Sequence, residues 1–256
     1  MLTVVIHTIP TAGNLLKSAS GLAENLKKEF GVLYYATNEE EANSTRESFE
    51  QFLTENNYKN IRLIIKTESA KKMAEDCERY DASFLIIQWA DNQNKQLRNY
   101  LNYCRQLRIP YVFFRDNFQV LNLQKVLVPV GFLVEEYEKA QFASAFGRFC
   151  GSEITLLLAN DYGSKAATTA EKMKQLFEKF NLIFSQLKAK SDSFKLDKEA
   201  VKMAGEKEYG IVLISASRDY GLDDLLFGPK EYHLVKRSVV PLLLVNPRGD
   251  LYTLCD

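Results

Sequence analysis

The chain is predicted to be an α/β protein of two tandem, similar halves. Each half is expected to form a five-stranded parallel sheet covered by helices on both faces, a Rossmann-like layer. Three observations predict this. Short runs rich in Val, Ile, Leu and Phe alternate with amphipathic helical stretches from end to end, the pattern of buried parallel strands joined by crossover helices. The succession β-α-β-α-β-α-β-α-β can be read twice. Both halves also close on a proline and an apolar strand, Pro110-Tyr111-Val112-Phe113-Phe114 and Pro241-Leu242-Leu243-Leu244-Val245. Proline is tolerated at a strand's first position, where the donor it lacks is not yet needed.

In the first half the strands are expected at 2–6, 32–36, 61–66, 84–89 and 111–114, with helices at 12–30, 39–56, 70–80 and 95–107. Leu15, Leu16, Ala19, Leu22, Ala23 and Leu26 recur at three- and four-residue steps and make one buried stripe. Glu39-Glu40-Glu41 opens a helix, where acidic residues complement the dipole. Tyr34-Tyr35, Trp89 and Phe113-Phe114 fall on strands and read as packing residues. In the second half the strands are expected at 125–130, 154–159, 183–188, 211–215 and 242–245, with helices at 134–149, 166–180, 198–208 and 229–238. Ala140, Ala143, Phe146, Gly147 and Cys150 repeat the stripe. The domains are placed at 1–118 and 124–256, with 117–124 as linker, because βαβ layers of about 120 residues close naturally.

Composition excludes several function classes. With 46% hydrophobic residues the chain has enough apolar surface for packed cores. Lys+Arg and Asp+Glu both number 33, so the basic excess of a nucleic-acid binder is missing. The four cysteines are scattered without a CxxC pair and the two histidines, His7 and His233, lie far apart. Zinc spacing is thus absent and no metal site is expected. Reduced structural thiols fit a cytoplasmic protein. Met-Leu-Thr-Val-Val-Ile-His carries no basic n-region and is expected to be a first strand, not a signal peptide. No apolar run approaches the roughly 20 residues of a membrane helix.

The most informative segment runs from Tyr209 to Pro247. A buried strand enters a polar loop, a Gly-Pro pair starts a helix, and a second apolar strand follows. In open α/β sheets ligands sit in the crevice at such strand ends. The opening Lys125-Val126-Leu127-Val128-Pro129-Val130, the helix start Gly228-Pro229-Lys230-Glu231 and the closing Val240-Pro241-Leu242-Leu243-Leu244-Val245 resemble the universal stress protein family. The resemblance covers nearly all of the second half, whereas the first half shares the element order and the proline strand. It implies a 3-2-1-4-5 strand order and pairing through the last strands, as an intramolecular pseudo-dimer between 111–114 and 242–245 or as a dimer of chains.

Nucleotide-binding members of the family carry Gly-x2-Gly-x9-Gly-[Ser/Thr], because glycines let the backbone approach phosphate and helix-start amides donate to it. With the last glycine on Gly228, the first two fall on Ser215 and Arg218 and the hydroxyl residue on Pro229. The family's Asp after strand one corresponds to Gly131, and to His7 or Thr8 in the first half. The resemblance therefore implies a degenerate nucleotide site at Gly131, Ser215, Ser217, Arg218 and Gly228. Arg218 has two alternative roles, a charge-assisted contact to an anion or a pairing with Asp219, Asp223 or Asp224. The first half lacks glycines after its fourth strand (Ile87-Gln88-Trp89-Ala90-Asp91-Asn92-Gln93-Asn94), so no phosphate cradle is expected there.

Other chemistry finds no support. There is no Gly-x-Ser-x-Gly nucleophile elbow, and Thr8-Ile9-Pro10-Thr11-Ala12-Gly13 holds one glycine where a dinucleotide fingerprint needs three. His233 falls mid-helix, and His7 ends a strand at the crevice side. The resemblance implies a non-catalytic stress-response or signalling protein acting through a small anionic ligand or a protein partner, without nucleic acid or membrane. The alternatives are ATP or AMP binding with slow hydrolysis in the second-half crevice, and a ligand-free interaction module.

Overall fold

The computed structural model describes residues 1–58, 60–217 and 229–248. It divides into two compact units, Met1–Val120 and Leu121–Asp256. The first runs β1 (Leu2–Ile6), a 3-10 turn (Ile9–Thr11), α1 (Gly13–Leu26), β2 (Phe30–Tyr35), α2 (Glu39–Glu55), β3 (Ile61–Lys66), a 3-10 turn (Ala70–Lys72), α3 (Met73–Arg79), β4 (Phe84–Trp89), α4 (Asn94–Cys104) and β5 (Tyr111–Arg115). The second runs β6 (Lys125–Val130), a 3-10 turn (Val134–Glu138), α5 (Lys139–Cys150), β7 (Glu153–Leu158), α6 (Lys165–Lys179), β8 (Phe184–Lys188), α7 (Ser193–Glu206), β9 (Ile211–Ser215), α8 (Lys230–Arg237) and β10 (Leu242–Val245).

Within the first unit the strands run parallel in the order β3-β2-β1-β4-β5. Within the second they run parallel in the order β8-β7-β6-β9-β10. The two orders are the same once each unit is counted from its own first strand, so these are two Rossmann-like α/β halves. The central strands β1, β4 and β9 are buried at every position, as expected where helices cover both faces. The order reverses between β1 and β4 and between β6 and β9, which opens a crevice at the carboxyl ends of those strands.

Local chemistry sets the boundaries. α1 stops at Leu26, short of the expected 30, because Lys27 turns left-handed (φ 53), which frees Phe30 to begin β2. α2 starts at Glu39 as expected. The Asn38 side chain accepts from the Glu41 amide at 2.8 Å, while the Glu41 carboxylate takes the Thr37 amide at 2.7 Å, so two helix-start donors are satisfied. α7 begins at Ser193, five residues before the expected 198. Asp192 caps it by accepting from the Lys195 amide, a start signal hidden in the polar run Lys190-Ser191-Asp192-Ser193. The stripe of α1 is buried at Leu15, Leu16, Ala19, Leu22 and Ala23, and that of α5 at Ala140, Ala143 and Phe146.

The prolines act as their chemistry requires. Pro110 and Pro241 stand just before β5 and β10, and their carbonyls accept from the amides of Leu85 (3.1 Å) and Val212 (3.3 Å). Each proline thus joins its ladder through the one backbone group it has. Pro129 sits inside β6, and the paired register of β6 with β9 stops at Leu127↔Val212. A residue without an N–H helps to end that ladder at the mouth of the crevice. Gly210, entering β9, is required sterically: a Cβ there would lie 1.4 Å from the Asn122 carbonyl oxygen.

Candidate functional site: hydrogen bonds at two crevices

The second unit gathers Gly131, just after β6, Ser215, the last residue of β9, and Ser217 at the carboxyl ends of adjacent strands. Arg218 and Gly228, the other two expected site residues, lie outside the described residues. Pro229 precedes α8 with an extended backbone (ψ 162) and so serves as its cap.

Among the described residues, three backbone amides near this crevice are engaged by the chain's own carboxylates. Glu231, in the first turn of α8, is fully buried, and its Oε1 accepts the backbone N–H of Ser217. Asp161, after β7, holds the first amide of α7: Ser193 N donates to its Oδ1 at 2.9 Å and the Ser193 hydroxyl donates to its Oδ2. Glu138 takes the Arg248 amide at 2.9 and 3.2 Å. Backbone amides at helix starts and loop ends are natural anion receptors, and here those of Ser217, Ser193 and Arg248 each meet a resident carboxylate. A phosphate brought within about 5 Å of one of these carboxylates would be repelled by ~3 kcal/mol per unit charge at an effective dielectric near 20.

The position after β6 is closed as well. Ser193 Oγ accepts the Phe132 amide at 3.0 Å, and a Cβ on Gly131 would meet that oxygen at 2.8 Å. Glycine at 131 therefore lets the start of α7 approach the β6 loop. Next to it stands Lys139, whose side chain is completely buried. Its Nζ donates to the Pro129 carbonyl (2.5 Å) and to the Glu136 carboxylate. A buried ammonium is stable only when paired and hydrogen-bonded, and these two acceptors supply both conditions.

In the first unit the crevice-side contacts centre on an amide side chain. Gln88, on β4 and 2% exposed, accepts through Oε1 from the amides of His7 (2.7 Å) and Thr8 (3.0 Å). Its two Nε2 hydrogens are shared among the Thr8 carbonyl (3.0 Å), Thr11 Oγ1 (2.8 Å) and Asp116 Oδ1 (2.9 Å). One side chain thus ties the loop after β1 to the residue after β5. His7 packs its ring against Tyr100 at 5.0 Å between centroids, and burial pushes its pKa down to about 4, so the ring is neutral at physiological pH. Its Nε2 is buried without a hydrogen-bond partner. His7 and Thr8 border a cavity of 360 Å³ together with Tyr34, Thr45, Ser48 and Phe52.

Gln88, Glu231, Asp161 and Lys139 were not among the residues singled out in the sequence. Gln88 carried a signal, a lone amide inside the apolar run Phe84-Leu85-Ile86-Ile87-Gln88-Trp89. Glu231 carried none, since a Glu in the first turn of a helix is ordinary on a solvated surface. His233 is half-buried on α8 and lines the groove between α7 and α8. Among the described residues no cluster of His, Cys, Asp and Glu could hold a metal ion, and no helix is long and apolar enough to cross a membrane.

No protein-family model and no curated protein sequence matches this chain. Solved structures do match in fold. A universal stress protein from Archaeoglobus fulgidus DSM 4304 superimposes with a TM-score of 0.69 at 12% identity, covering 97% of each chain. A functionally unknown protein from Pseudomonas aeruginosa PAO1 superimposes with a TM-score of 0.64 at 13% identity, covering 99% of this chain and 94% of that one. The chain therefore has the fold of universal stress proteins over its full length.

Proposed function

We propose that this chain, with its universal stress protein-like fold, is a non-catalytic stress-response or signalling protein that acts by binding another protein, in the cytoplasm where scattered thiols stay reduced. The observation that carries the proposal is the Glu231–Ser217 contact. Where the resemblance places a phosphate loop, a buried carboxylate accepts the amide of Ser217. Asp161 and Glu138 do likewise for the amides of Ser193 and Arg248. An ATP or AMP entering the second-half crevice would have to displace carboxylates that repel it, which disfavours the nucleotide-hydrolysing alternative. Fold alone does not choose a function, so the weight rests on these contacts.

Isothermal titration of the full chain with ATP and with AMP, each with magnesium, tests the proposal. The expected result is no binding heat at about 1 mM nucleotide, the range where a Kd corresponds to only ~4 kcal/mol. Micromolar binding, or nucleotide released from heat-denatured purified protein, overturns it.

One observation favours a second reading for the first unit. The orphaned Nε2 of His7 beside a 360 Å³ cavity suits a small neutral ligand with one hydrogen-bonding group and an apolar body, such as a nucleoside without phosphates. Thermal-shift titration with adenosine, repeated on His7→Phe, checks it. A shift of equal size in the variant rejects His7 as the contact.

A further inference from the structure

A groove of 860 Å³ lies in the second unit between α7 and α8. The two helices follow successive strands, so they run in the same direction across the sheet. Near the start of both helices the Lys230–Asp197 ion pair at 3.2 Å lies on its rim. At the far end Val239 approaches Gly205 closely, since a Cβ there would meet Val239 Cγ2 at 2.7 Å. From Asp197 to Gly205 the helix rises ~12 Å. Val201 and Leu234 form the apolar bed. The apolar path continues past both ends, onto Phe194 (83% exposed) and Val239 (64% exposed).

Charge is not balanced along this groove as it is over the whole chain. Lys198, Lys202, Lys230 and Arg237 border it against Asp197 and Glu206. Both acids are already paired, Asp197 with Lys230 and Glu206 with Lys202. Among the described residues no ion pair engages Lys198 or Arg237. The rim therefore presents uncompensated positive charge over an apolar bed, with two large apolar side chains standing in water at its ends.

We propose that the α7–α8 groove docks an acidic amphipathic helix of a protein partner. Such a helix lays its apolar i, i+3, i+4 and i+7 side chains between α7 and α8 and points carboxylates at Lys198 and Arg237. The path from Phe194 to Gly205 is ~17 Å of helix, about three turns, which suits a helical segment better than a compact metabolite. Exposed Phe and Val at the rim supply the apolar anchors that interface cores use. The proposal names the partner class for the binding role inferred above and rests on that role. It does not depend on whether the crevices are empty, so nucleotide titration and the test below can fail independently.

The test uses the full chain and a fluorescein-labelled helical peptide with leucines at i, i+3, i+4 and i+7 and glutamates on both flanks. A control peptide carries lysines in place of the glutamates. Fluorescence anisotropy is expected to show at least about tenfold preference for the acidic peptide at about 0.05 M salt, declining as salt rises. The double variant Lys198→Glu/Arg237→Glu is expected to weaken binding about tenfold or more, and Phe194→Ser about threefold. All three substituted residues are exposed, and circular dichroism confirms that the variants fold. Four results overturn the proposal: no binding of the acidic peptide, equal binding of the basic one, binding unaffected by the double variant, or tighter binding of oleate than of either peptide. Self-association of the chain that the double variant abolishes would give the groove to a second copy and also overturns it.

Discussion

The Glu231 carboxylate accepts the backbone N–H of Ser217, joining the first turn of α8 to the end of β9 across fourteen residues of sequence. Glu231 is fully buried, so this contact supplies a hydrogen bond that water does not. Replacing Glu231 by Ala leaves the Ser217 amide without its acceptor. The expected cost is about 2 kcal/mol, read as a lower urea midpoint with unchanged slope.

Gln88 accepts two backbone amides and shares its two Nε2 hydrogens among three oxygens. Gln88→Leu keeps the approximate volume and removes every one of these bonds. Urea denaturation is expected to report a loss of about 3 kcal/mol, from several buried polar groups left unsatisfied at once. A loss under about 0.5 kcal/mol, the size of an ordinary surface substitution, would show that water replaces the amide there.

His7 makes stability depend on pH. Burial holds its folded-state pKa at about 4, below the ordinary 6.5. On acidification the unfolded chain takes up this proton first. The stabilising effect is therefore complete above pH 6.5 and lost as pH falls toward 4. The loss amounts to ~3 kcal/mol over that window. In His7→Phe, which keeps the ring packing against Tyr100, this part of the pH dependence should vanish. Thermal melts at pH 7.5, 5.5 and 4.5 check it.

Lys139 and Glu136 form a buried pair. Lys139→Met leaves the Glu136 carboxylate without its partner and is expected to cost about 3 kcal/mol or more. Adding Glu136→Gln should recover a substantial part. A double-mutant cycle with coupling above about 1 kcal/mol supports the pairing, and additivity rejects it.

Gly131 and Ser193 are locked by space. Gly131→Ala puts a methyl 2.8 Å from Ser193 Oγ, whose hydrogen bonds to Phe132 and Asp161 resist movement. A loss of about 1–2 kcal/mol is expected. Combining it with Ser193→Gly should cost less than the sum of the single changes, because the clash is then absent.

Much of the fold was legible because strand–helix alternation is a local signal. β1, β3, β4, β6, β9 and β10 fall where the apolar runs place them. The errors came from short-range chemistry that competes with periodicity. Lys27 turned left-handed and ended α1 early, and Asp192 capped α7 five residues sooner than its apolar stripe suggested. The candidate site was less legible. Gly131, Ser215 and Ser217 do come to one end of the second sheet, but the hydrogen bonds found there among the described residues run through Glu231, Asp161 and Ser193. Asp161 and Ser193 stand 32 residues apart yet share a hydrogen bond, and nothing in their neighbouring residues announces it.

By itself the sequence determined the α/β class, the doubled order of elements and the strand-end positions where a crevice must open. These follow from periodicity, proline chemistry and the handedness of crossovers, all of which act over a few residues or through simple topology. Only the tertiary structure decided which side chains hydrogen-bond at the crevices. Whether a glutamate caps its own helix in water or reaches inward to a distant amide depends on burial, and burial is set by the packing of the whole unit.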